Sequence, residues 1–248
     1  MELIVAETYE DMSRIAAEEI EAVIEADPSC VLGLATGSTP IGLYADLVAD
    51  YEAGKVSFAD VTTFNLDEYR GLAHDHDQSY HYFMADNLFN HVNIDPERTH
   101  VPDGFDPDAD AACAAYEDAI EDAGGIDIQL LGLGHNGHIG FNEPADDFPV
   151  ATHCVQLTES TIQANSRLFD CIDDVPREAY TMGIGTIMKA GKILMVVSGA
   201  DKADILAECL LGPVVPQVPA SALQLHPDVT VVADRAAAAR CLEMAEEE

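Results

Sequence analysis

The sequence predicts an α/β fold: a single doubly wound domain over residues 1–248, with a mostly parallel sheet and helices on both faces, Rossmann-like in arrangement. Short runs rich in Val, Ile and Leu recur along the chain, and longer amphipathic stretches separate them. No repeat, low-complexity tract or Gly/Ser-rich linker interrupts the series. Strands that lack polar alternation are buried on both faces, which is the pattern of a parallel sheet covered by helices.

Strands are expected at 30–34, 61–65, 126–133, 180–184, 193–197 and 229–233, each short and mostly apolar. Helical periodicity occupies 9–26, 41–53, 80–89, 109–123, 159–169, 202–211 and 236–245. In an open sheet of this kind ligands bind beyond the carboxyl ends of the strands. The segments to inspect are therefore 35–39, 66–71, 134–144 and 198–202.

Hydrophobic residues make up 48% of the 248, enough for a sizeable core, so disorder is excluded. Charge is the outlier, with 46 acidic against 11 basic residues and a formal net charge of −35. Neither a phosphate backbone nor an anionic lipid surface would attract such a chain, so no nucleic-acid or membrane partner is expected. Self-repulsion of this size destabilises the compact state unless salt screens it, which points to a salt-loaded cytoplasm and a halophilic acidic surface. The six cysteines include no CxxC pair and read as reduced thiols. No signal peptide and no apolar run long enough to span a bilayer is evident, so a cytoplasmic location is expected.

VLGLATGSTP (31–40) reads as a strand, a small-residue loop and a proline suited to a helix start. Thr36, Gly37, Ser38 and Thr39 then offer backbone N–H groups and hydroxyls at a helix N-terminus, a good place for a phosphate dianion. An ordinary Ser/Thr cap with a glycine turn would leave the same pattern. Neither a Walker loop nor GxGxxG is present. In a chain so poor in cations, Arg167 and Lys202 stand out. Lys202 opens a helix, where the dipole disfavours a cation unless an anion lies nearby.

Acid–base candidates fall at two further strand ends. Asp67 and Glu68 follow the strand at 61–65, and in extended chain only one of two neighbours faces a given side. A carboxylate there can take a proton from carbon beside a carbonyl or iminium. GLGHNGHIGFNEP (132–144) gathers His135, Asn136, His138 and Glu143 among glycines that let backbone approach a ligand. A His138–Glu143 hydrogen bond would set the imidazole tautomer. No HExxH pattern or cysteine ligand supports a metal, the cluster HDHDQSYH (74–81) reads as a solvated acidic loop, and no GxSxG elbow supports nucleophilic catalysis.

These runs, with QSYHYFM, ANSRLFD, YTMGIGTIM and SALQLHP, closely resemble the glucosamine-6-phosphate deaminase family of the sugar-phosphate isomerase and phosphogluconolactonase superfamily. They follow the family's order over residues 3–235, and FNLDEY with GHIGFNEP is the most specific pair. The resemblance implies conversion of glucosamine 6-phosphate and water to fructose 6-phosphate and ammonia, with a phosphosugar partner and no cofactor. It also implies that Asp67 moves the C2 proton to C1 and that His138 carries the ring-opening proton, supported by Glu143 and Asn136. Gly37, Ser38, Thr39, Arg167 and Lys202 fall on its phosphate-binding positions. The rival on the same scaffold is a 6-phosphogluconolactonase or another sugar-phosphate isomerase, which has no need of Asp67 as a carbon base.

Two departures stand out. Position 136 is Asn where some members carry Asp; its carbonyl is expected to accept from the imidazole N–H, so that Asn136→Asp keeps activity and Glu143→Gln damages it more. The run ADDFPVATHCVQL (145–157) carries Asp146, Asp147, His153 and Val155 where allosterically activated members place basic residues and serines. Many members are hexamers, which leaves a homo-oligomer open.

Overall fold

In chain order the elements are β1 (Glu2–Ala6), α1 (Tyr9–Ala26), β2 (Val31–Leu34), α2 (Ile41–Glu52), β3 (Thr62–Asn65), β4 (Asp67–Tyr69), α3 (Tyr80–Asn87), β5 (Thr99–His100) and α4 (Ala109–Asp122). There follow β6 (Ile128–Gly132), β7 (His153–Gln156), α5 (Glu159–Asn165), β8 (Glu178–Thr181), α6 (Ile184–Ile187), β9 (Lys192–Val197), α7 (Ala203–Leu211), β10 (Val229–Asp234) and α8 (Ala239–Glu246). The structure, a computed structural model, describes residues 1–166, 169 and 171–246.

Seven strands form one parallel sheet in the order β1-β10-β9-β6-β2-β3-β5. Every residue of β2 and β10 is buried, as is all of β9 after Lys192, which is why these strands read as mostly apolar runs. Helix α1 shows how the cover is built. Thr8 caps it by accepting from the Asp11 amide, and Met12, Ala16, Ala17, Ile20 and Ile24 turn inward at helical spacing. From β2 the chain proceeds to β3 and β5 towards one edge, whereas from β6 it proceeds to β9 and β10 towards the other. The order therefore reverses between β2 and β6, which pair through Leu32 and Gly33. A crevice is expected at that reversal, outside the carboxyl ends.

The expected strand at 180–184 is not part of this sheet. Its described counterpart, β8, lies in a second, antiparallel sheet of order β4-β8-β7, and Ile184 already starts α6. Leu66 is the joint between the two sheets. Its N–H bonds Leu34 O of the main sheet at 2.8 Å, and its carbonyl accepts from Met182 N at 2.9 Å. With one residue between β3 and β4, the chain leaves the parallel sheet at once and takes β8 with it. A smaller apolar cluster of Tyr69, Leu72, Phe141, Leu157, Ile162, Val175 and Ala179 lies against these strands. The helix expected at 159–169 is described over Glu159–Asn165, and strands β1, β4, β5 and β7 were not expected. All six cysteines are free, and among the described residues no helix is long and apolar enough to cross a membrane.

Candidate active site

At the reversal between β2 and β6 lies a cavity of about 300 Å³, walled by the loops that leave β2, β3, β6 and β9 and by residues of α3 and α5. Its walls bring together Gly37, Ser38, Thr39, Asp67, His138 and Lys202, six of the nine site residues expected from sequence. Asn136 and Glu143 stand behind His138 and not in the wall. Arg167 lies outside the described residues.

The β2 loop ends against α2, with Pro40 at the cap position. Gly37 adopts φ 99°, a conformation that side chains resist, and this turns the loop back over the helix start. Tyr9 of α1 fastens it: the hydroxyl lies 3.0 Å from Thr39 O as donor and accepts from Gly42 N at 2.9 Å. The N–H groups of Thr36, Gly37, Ser38 and Thr39 have no acceptor among the described residues. Four donors at a helix N-terminus make a ready anion site.

Lys202 closes the opposite side. Its Nζ donates to Leu133 O at 2.8 Å, tying the β9 turn to the end of β6, and two further protons remain for the cavity. Burial lowers its pKa. Next to it, His135 Nε2 lies 2.6 Å from Asp201 Oδ2, and this imidazole holds the Asp201 carboxyl below the usual carboxylate range.

The two neighbouring acids divide as strand geometry requires. Glu68 is buried and accepts from the amides of Tyr69 at 2.7 Å and of Tyr80 and His81 at 3.0 Å, so it serves the start of α3. Asp67 faces the cavity, is only 6% exposed, and its carboxyl makes no hydrogen bond with any described residue. Burial, and secondarily the Glu68 charge, push its pKa up to about 8. A carboxylate so deeply buried is a strong base once ionised.

The loop after β6 folds back on itself, with Gly134 N donating to His138 O at 2.9 Å. A Cβ on Gly134 would lie 2.3 Å from the His138 ring, so the imidazole occupies the space that any side chain at 134 would need. His138 Nδ1 is buried, stands 3.6 Å from Glu143 Oε2 and has no closer described partner. Glu143 Oε2 also accepts from Asn136 Nδ2 at 2.5 Å, and Oε1 accepts from Thr161 Oγ1 at 2.8 Å. The imidazole, with the donors from Asn136 and Thr161, holds the Glu143 carboxyl down to about 2.

This corrects the expectation for Asn136. Its carbonyl does not face the imidazole; it accepts from the His138 backbone N–H at 3.2 Å, while the amide nitrogen serves Glu143. Sequence reasoning also missed Thr161, and Tyr80 and Phe141, whose rings stack 6.1 Å apart in the wall. A hydroxyl in TESTIQ carries no distinguishing signal, whereas the two aromatics lie inside motifs already noticed.

A helix start with open N–H donors, a facing lysine, a buried carboxyl and a half-buried imidazole at one switch point define an α/β protein whose site suits acid–base chemistry on a small anionic molecule. The family model described as "Glucosamine-6-phosphate isomerases/6-phosphogluconolactonase" matches residues 5–232, and the chain belongs to this family. It is similar to the glucosamine-6-phosphate deaminase of Clostridium perfringens (strain 13 / Type A), 53% identical over 96% of this chain and 98% of that one. To the glucosamine-6-phosphate deaminase of Lachnoclostridium phytofermentans it is 55% identical, over 94% and 98% of the two chains. A solved structure described as a monomeric glucosamine-6-phosphate deaminase superposes with a TM-score of 0.94 at 47% identity, covering 97% of this chain and all of that one. The 6-phosphogluconolactonase from Trypanosoma cruzi shares the fold at a TM-score of 0.77 and 19% identity, covering 96% of both chains.

Proposed function

We propose that the chain converts glucosamine 6-phosphate and water to fructose 6-phosphate and ammonia, with residues 1–248 acting as one sugar-phosphate domain. The observation that carries this reading is Asp67, a buried carboxyl with no hydrogen-bond partner among the described residues, in the same cavity as His138 and the loop after β2. A lactonase has no use for a carbon base, so the β4 carboxylate favours the deaminase over that rival.

The phosphate is bound by the N–H groups and hydroxyls of Gly37, Ser38 and Thr39, with Lys202 opposite. Arg167, outside the described residues, joins them on the family resemblance. His138, backed by Glu143, moves the proton that opens the pyranose ring and frees an aldehyde at C1. That carbonyl acidifies the C2 hydrogen, which Asp67 removes to give an enolamine. Return of the proton to C1 leaves an imine at C2, and water hydrolyses it to the ketone and ammonia. The direct test is ammonia release from glucosamine 6-phosphate at molar salt, run beside hydrolysis of 6-phosphogluconolactone. Lactone turnover without ammonia would reverse the assignment.

A base must be ionised to act, and the Asp67 acid is pushed up to about 8. We therefore expect kcat/KM to climb about tenfold per pH unit on the acid side and to level off near pH 8. A profile flat from pH 6 to 9 in stopped assays would remove Asp67 from this role.

The net charge of −35 supports a protein from a salt-loaded cytoplasm. Its melting temperature by circular dichroism is expected to rise steadily with KCl up to molar concentrations, as screening shortens to about 3 Å at roughly 1 M. Greatest stability in dilute buffer would contradict that origin.

The acidic run around β7, with Asp146, Asp147, His153 and Val155, is unsuited to a second phosphosugar. Accordingly, N-acetylglucosamine 6-phosphate should leave the substrate saturation curve unchanged. A sigmoidal curve that it renders hyperbolic would show an effector site after all.

A further inference from the structure

Glu143 is oriented from two sides. Asn136, in the same loop, donates to Oε2 at 2.5 Å, and Thr161, on α5 eighteen residues further along the chain, donates to Oε1 at 2.8 Å. Thr161 Oγ1 also lies 2.9 Å from Thr158 Oγ1, and Thr158 caps α5 by accepting from Thr161 N at 3.2 Å. Each hydroxyl carries one proton. Since Thr161 gives its proton to Glu143, the bond between the threonines must run from Thr158 to Thr161, and the chain of donors points at the carboxylate. Thr161 itself forms part of the cavity wall.

We propose that Thr161 is a positioning residue: its hydroxyl, on α5, aims Glu143 at His138 and so helps make the imidazole competent. Glu143 Oε2 stands 3.6 Å from His138 Nδ1, and rotation about the end of the Glu143 side chain changes that separation directly. Asn136 holds Oε2 from one side only; without Thr161 on Oε1 the carboxylate plane is free to rotate and carry Oε2 away from Nδ1. This rests on the deaminase reading above, with His138 as the ring-opening group.

Thr161→Val keeps the shape and removes the hydroxyl, and Thr161→Ser restores it. With glucosamine 6-phosphate, Thr161→Val should lower kcat about tenfold and leave KM within about twofold, and Thr161→Ser should recover most of the loss. In a Glu143→Gln background, Thr161→Val should cost no further activity. Equal losses in both backgrounds, or a serine variant as slow as the valine one, would overturn the proposal, because a purely structural threonine acts regardless of Glu143. Thermal unfolding of the wild type, Thr161→Val, Glu143→Gln and the double variant reads the Thr161–Glu143 coupling without any substrate. Measurable coupling supports the contact, and strict additivity overturns it. Coupling in an enzyme that releases no ammonia would sink the deaminase reading alone.

Discussion

Asp67→Asn is expected to lower kcat for ammonia release by about 10³-fold, within the usual span for loss of a general base, while KM changes little. Asparagine matches the carboxyl in shape and cannot accept a proton from carbon, so the phosphate binding proposed for the β2 loop and Lys202 should be untouched. The same substitution should stabilise the protein in alkaline solution. Burial raises the Asp67 pKa to about 8, above its unfolded value, so its contribution to stability is present at low pH and is lost as pH rises through 8. Above that pH the wild type holds a buried charge with no partner among the described residues, and the variant does not. Melting curves at pH 6 and pH 9 should therefore separate the two proteins more at pH 9, with the inactive variant the more stable. An active Asp67→Asn enzyme would remove the carbon base from the mechanism; equal melting at both pH values would show that the carboxyl is better solvated than its surroundings indicate.

How far the sequence could be read follows from where each residue sits. Strands β2, β6, β9 and β10 occupy the centre and one flank of the sheet, and apolar runs suffice to find them. Strands β1 and β5 lie at the edges, are only partly buried, and in β5 span two residues, too few for a pattern. β7 is half-exposed and polar, so its partner β8 was visible but its sheet was not. The site followed a similar rule. Residues on loops that leave strands, such as Gly37, Asp67 and His138, could be found because the fold class says where those loops gather. Asn136 could be found as well, but not its partner, because the glycine-rich loop doubles back to place it beside Glu143. Thr161 was out of reach, since only tertiary packing brings α5 to the cavity.

That doubling-back changes what position 136 predicts. Glu143→Gln should cost about 10²-fold in kcat at every pH, since a neutral amide cannot stabilise the imidazolium that forms when His138 takes up a proton. Asn136→Asp behaves differently. The amide nitrogen at 136 stands 2.5 Å from Glu143 Oε2, so a carboxyl in its place would meet another carboxyl at hydrogen-bond length. Two carboxylates that close cannot both ionise, and the pair retains one proton with a raised pKa. While that proton stays, the new acid donates to Glu143 as the amide did, and activity near that of the wild type is expected. As pH rises and the proton leaves, the two anions repel and Glu143 is driven from its place behind His138. The rate of Asn136→Asp relative to wild type should thus fall with increasing pH, whereas that of Glu143→Gln stays uniformly low. A ratio for Asn136→Asp that is constant across pH would mean that position 136 does not donate to Glu143 in the working enzyme.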